Sequence, residues 1–95
     1  MSRYTKRRNE LIDSSFRIIA EVRGNDIVDV SYAKVGEIRG NDILDARSRK
    51  IAELKGSDII DPSAQNIGTL DDVRKGIKDS IGDIRDAALW LFYVK

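Results

Sequence analysis

The chain has neither cysteine nor histidine, and these two absences remove much of the chemistry open to a small protein. Without cysteine there is no disulfide framework and no thiolate metal site. Without histidine the commonest general base and the commonest metal ligand are missing, and no serine here can belong to a Ser-His-Asp triad. No charge sign dominates: 17 Lys and Arg face 16 Asp and Glu, a net charge of +1. The whole chain therefore carries no electrostatic reason to bind nucleic acid or an anionic membrane. No run approaches the roughly 18 apolar residues of a membrane span. The basic start "MSRYTKRRNELID" lacks the apolar stretch of a secretory signal, so the expected location is the cytoplasm. No glycine-rich phosphate loop and no other cofactor motif is present. With 95 residues the chain is one small domain near the lower limit for folding unaided.

What is present is a repeat. "IAEVRGNDIVD", "VGEIRGNDILD" and "IAELKGSDIID" begin at residues 19, 35 and 51, a step of 16. Gly24, Gly40 and Gly56 keep that step, as do Asp13, Asp29, Asp45 and Asp61. "RRNELID" at 7 to 13 is a degenerate earlier copy, and "IGTL", Ile67 to Leu70, is a truncated later one. Sixteen residues are too few for a propeller blade or a helical repeat but suit one hairpin and a connection. Glycine first in a two-residue loop such as Gly40-Asn41 predicts a II′ turn, which needs φ > 0 there. The first copy has Arg8 at that place, which predicts a different or frayed turn. Ala20, Gly36, Ala52 and Gly68 keep a second position small, so something must approach closely there. Strand alternation collects Val22, Ile38, Leu54 and Leu70 with Ile27, Ile43 and Ile59 into a shared core. Beyond Leu70 the period becomes helical through Val73, Ile77, Ile81, Ile84, Ala88 and Leu91, with Thr69 or Asp71 as cap.

Across residues 7 to 70 these tandem phrases resemble the four-fold β-flower domain family, a small bacterial repeat domain. The resemblance implies hairpins set as petals about a pseudo-four-fold axis, and it implies no activity. The expected fold is then α+β: a basic N-terminal arm over 1–6, a ring of four hairpins over 7–70, and a C-terminal helix with an apolar tail over 71–95. Complementary half-hairpins at the two ends predict closure of the ring by Ile67–Leu70 pairing with Glu10–Asp13. A continuous helix from Asp71 to Tyr93 would outrun such a ring at 1.5 Å per residue. It should therefore break at Gly82 or project beyond the ring, with Val73, Ile77 and Ile81 covering the ring's base.

Each charged set has a structural and a chemical reading. A ring of Asp13, Asp29, Asp45 and Asp61 would suit a calcium or magnesium ion, but a role repeated with the structure favours Asx-turn capping. Arg23-Asp26, Arg39-Asp42 and Lys55-Asp58 read as cross-turn ion pairs, and Glu21, Glu37 and Glu53 as a solvated face. Arg3, Lys6, Arg7 and Arg8 offer contacts to an anion, with only Tyr4 nearby for stacking. The tail residues Trp90, Leu91, Phe92 and Tyr93 are either core or an interface, and aromatics of this kind dominate interface energetics. Together these readings predict a non-enzymatic structural or interaction module, homodimeric through its helix and tail. Weak binding of nucleic acid or an anionic surface is the alternative, and metal or small-ligand binding at the aspartates ranks below it.

Overall fold

The computed structural model describes residues 3–95, so the first two residues of the predicted arm lie outside the described residues. Nine strands follow in a meander: β1 (Tyr4–Arg7), β2 (Glu10–Asp13), β3 (Ile18–Arg23), β4 (Asp26–Asp29), β5 (Lys34–Arg39), β6 (Asp42–Asp45), β7 (Lys50–Lys55), β8 (Asp58–Ile60) and β9 (Asn66–Thr69). Helix α1 (Leu70–Gly76), a two-residue strand β10 (Ile77–Lys78), helix α2 (Ile84–Leu89) and a π-helical turn (Trp90–Val94) complete the chain. The class is α+β, as expected.

The turns arise where the sequence puts them. Gly24, Gly40 and Gly56 have φ of 61°, 63° and 60°, each at the first position of a two-residue loop. The first hairpin uses the same loop, with Arg7 opposite Glu10 and Arg8 forced to φ 58°. The repeat thus imposes its turn even where glycine is missing, and the different or frayed turn expected at Arg8 does not occur. The second loop residue then ties each hairpin to the next. Carbonyls of Asn9, Asn25, Asn41 and Ser57 accept from the amides of Val22, Ile38, Leu54 and Leu70 at 2.7–2.9 Å.

The pseudo-four-fold ring does not form. Hairpins join edge to edge into one ten-stranded sheet of order β10-β1-β2-β3-β4-β5-β6-β7-β8-β9. Residues 4–6, expected in a solvated arm, form strand β1 with Arg7, paired along its length with Glu10–Asp13. The predicted partner of Glu10–Asp13, the "IGTL" segment, pairs instead with β8. β1 receives β10 in parallel, Tyr4 opposite Ile77. Only α1 separates β9 from β10, a rise of about 12 Å from Thr69 to Ile77. The sheet therefore curls until a helix, rather than a strand pair, bridges its two ends.

The long helix is also broken, earlier and more often than expected. Thr69 caps α1 with a reciprocal Asp72 bond, but the helix ends at Gly76 and the chain turns extended to join β1. Asp79 and Gly82, with φ of 65° and 71°, then reverse it into α2. Val73 and Ile77 are buried as predicted, whereas Ile81 in this reversal is 74% exposed and covers nothing. The core lies between one face of the curled sheet and the C-terminal segment. It joins Val22, Ile27, Ile38, Ile43 and Ile59 with Ala87, Ala88, Leu89 and Trp90, Leu54 and Leu70 packing at its margin.

Candidate functional site

Three connections link the hairpins and a fourth leads from the last of them to β9, and each is built by one aspartate. Asp13 Oδ1 accepts from the amides of Ser15 and Arg17, and Asp29, Asp45 and Asp61 repeat the pattern at 2.8–3.0 Å. These are the Asx-turns expected of the repeated aspartates. At Asp45 the backbone bonds from Arg49 and Arg47, opposed in part by desolvation, hold the carboxyl below its ordinary value. Among the described residues no three acidic side chains come together to hold a metal ion.

The same connections force one residue each into the left-handed region: Phe16, Tyr32, Ser48 and Ala64, with φ of 63–67°. Glycine or asparagine suits that conformation, and a Cβ there is strained. Ser48 and Ala64 are small. Phe16 and Tyr32 are large aromatics that remain 85% and 69% exposed. Neither ring is needed by its turn, and neither fills the core. Ile18 and Val30, also exposed, stand beside them in the chain. A cavity of about 300 Å³ opens there, lined by Ile18, Ala20, Val30 and Tyr32 with the acidic residues Glu10, Glu21 and Asp29. The Arg23 guanidinium lies 5.2 Å from the centre of the Tyr32 ring.

The charged faces pair differently from the cross-turn scheme. Arg23 and Arg39 reach back along their own strands to Glu21 (3.8 Å) and Glu37 (3.0 Å), not across the turn to Asp26 and Asp42. Those aspartates are reached by lysines from the next strand, Lys34 at 3.6 Å and Lys50 at 3.3 Å. Each lysine also bonds a glutamate, Glu37 or Glu53. One ammonium thus bridges two carboxylates from facing strands. The hydrogen bond to Glu37 raises the Lys34 pKa, and the same bond lowers that of Glu37.

The residues singled out from the sequence are dispersed. Trp90 is buried in the protomer's own core, its ring packed where glycines leave room at 68 and 76. A Cβ at Gly68 would lie 2.5 Å from the Trp90 ring, and one at Gly36 would collide with the Phe92 ring. The close approach read from the small repeat position is therefore made by the tail's aromatics rather than by neighbouring hairpins. Leu91, Phe92 and Tyr93 are half-buried against that core, so the tail is not a projecting anchor. The Tyr93 hydroxyl is buried without a hydrogen-bond partner, and burial, then the Asp29 charge, raises its pKa.

Of the predicted anion contacts, Arg3, Arg7 and Arg8 are exposed, with Arg7 3.6 Å from Glu10. Lys6 points inward instead, 2.6 Å from the fully buried Asp86. Asp86 accepts further bonds from the Ser80 hydroxyl (2.6 Å) and the Ile81 amide (3.0 Å). Pattern reading passed over Asp86, whose partner is 80 residues away. Phe16 and Tyr32 were legible in principle, because the 16-residue step aligns them with Ser48 and Ala64. No family model, no curated protein and no solved structure matches the chain. Among the described residues no helix is long and apolar enough to cross a membrane.

Proposed function

We propose that the chain is a non-enzymatic protein-interaction module that binds through the edge carrying Phe16, Ile18, Val30 and Tyr32. One observation carries this reading: two bulky aromatics occupy strained left-handed positions while staying exposed. The left-handed backbone is common to all four connections, so what sets Phe16 and Tyr32 apart from Ser48 and Ala64 is the large exposed ring. Exposed aromatics are the side chains that most often anchor protein interfaces. An anionic partner fits less well, because Lys6 is turned inward onto Asp86. A second copy of the chain is one eligible partner, now through this edge rather than through the tail.

A photoreactive amino acid placed at position 16 or 32 in the full chain, irradiated in the cell, tests the reading. Discrete adducts are expected from both positions and none from 48 or 64, the equivalent places in the other turns. Self-association would appear as an adduct of twice 10.7 kDa. The same adducts from all four positions, or none from any, would contradict it.

A further inference from the structure

We propose that the groove beside Tyr32 receives a lysine side chain of the partner protein, an inference that rests on the interaction edge just described. The argument comes from the repeat itself. Asp26 faces Glu37, and Asp42 faces Glu53, across neighbouring strands. In both places a lysine one repeat apart, Lys34 or Lys50, lays its ammonium between the two carboxylates. The facing pair in the first repeat is Glu10 and Glu21. Its lysine position is Ile18, which has no charge to offer.

Arginine does not take over that role. Arg7 and Arg23 stand near Glu10 and Glu21 at 3.6 and 3.8 Å, with exposed side chains. Arg39 holds the equivalent place in the second repeat, where Lys34 is bound as well. Among the described residues no arginine pairs with Asp26 in the second repeat, or with Asp42 and Glu53 in the third. The first pair therefore differs twice: it has a longer arginine contact at each glutamate, and it lacks the close lysine bridge of 2.8 Å that Lys34 makes to Glu37. At this spot the cavity of about 300 Å³ opens. Its chemistry suits an alkylammonium: Glu10 and Glu21 for the charge, and Ile18 and Val30 for the methylenes, beside the Tyr32 ring that already carries the Arg23 guanidinium. A divalent metal is a poorer fit, because no three acidic groups among the described residues converge at metal-ligand spacing.

The probe is N-acetyl-lysine N-methylamide, titrated into the ¹⁵N-labelled full chain and followed by amide chemical shifts. Shifts confined to residues around Ile18, Glu21, Val30 and Tyr32 are expected, with a Kd of about 1–10 mM for so small a ligand. The Nε-acetylated probe, which has lost its charge, should produce none. Glu10→Gln/Glu21→Gln should weaken binding by about fivefold or more. Ile18→Lys, which supplies the missing ammonium from within, should fold like its sister repeats and abolish binding. Equal shifts with the neutral probe, no shifts at all, or unchanged binding by Ile18→Lys would overturn the proposal. Photocrosslinking in these variants separates the two readings. Adducts from position 16 that persist in both variants would keep the edge as a binding surface and remove lysine as its occupant. Adducts lost in both would support lysine.

Discussion

Replacing Asp86 with alanine should cost about 3–5 kcal/mol, the largest single loss expected outside the hydrophobic core. The side chain is fully buried on α2 and accepts from Lys6 Nζ, the Ser80 hydroxyl and the Ile81 amide. It therefore ties the first strand, the reversal at 79–83 and the final helix to one carboxylate. Alanine would leave the Lys6 ammonium, whose side chain is 11% exposed, without its counter-charge. Domains of this size have about 5–15 kcal/mol in total, so the variant would be marginal at best. Urea unfolding of Asp86→Ala, Lys6→Met and the double variant Lys6→Met/Asp86→Leu gives the test. The double variant should recover much of the loss, since apolar pairs often replace buried ion pairs at little cost. A loss below about 1 kcal/mol for Asp86→Ala would show that the pair is solvated.

Trp90→Ala should have a comparable effect, about 3–5 kcal/mol, because the ring fills the space left by Gly68 and Gly76. The close fit makes a sharper claim than the truncation alone. Gly68→Ala should destabilise the protein while Trp90 is present, since the added methyl would meet the ring. In a Trp90→Leu background the same methyl should cost little. Such non-additivity is the signature of direct contact. Additive losses, or a folded Trp90→Ser/Phe92→Ser variant of lower mass than the parent, would return the tail to an interface between copies.

Much of the local structure was legible because the repeat states it four times over. The step of 16 located the hairpins, the positive-φ glycines, the Asx-turn aspartates and the inward-facing Val22, Ile38 and Ile27. It could not show how hairpins join. A half-hairpin at each end is equally compatible with closure onto itself and with pairing to new strands. Tyr4–Arg7 settled the matter by pairing with "ELID", and two residues of β10 completed that edge. The helical period after Leu70 was real but did not specify continuity, and the glycines at 76 and 82 mark where it fails. The small residues at 36 and 68 announced a close neighbour without naming it, since Phe92 and Trp90 approach them from far along the chain. The interaction edge was missed for a different reason. A repeat draws attention to what it keeps, whereas Phe16, Tyr32 and Ile18 stand out only by departing from it.

That departure is the centre of the account, and the stability of Phe16→Gly tests it most directly. If the ring is held for binding, glycine relieves a left-handed residue and removes an 85% exposed side chain that supports nothing. Unfolding in urea should then show the variant more stable than the parent by about 0.5–1 kcal/mol. A variant less stable than the parent would mean that Phe16 supports the fold, and would contradict the claim that it is kept for a partner.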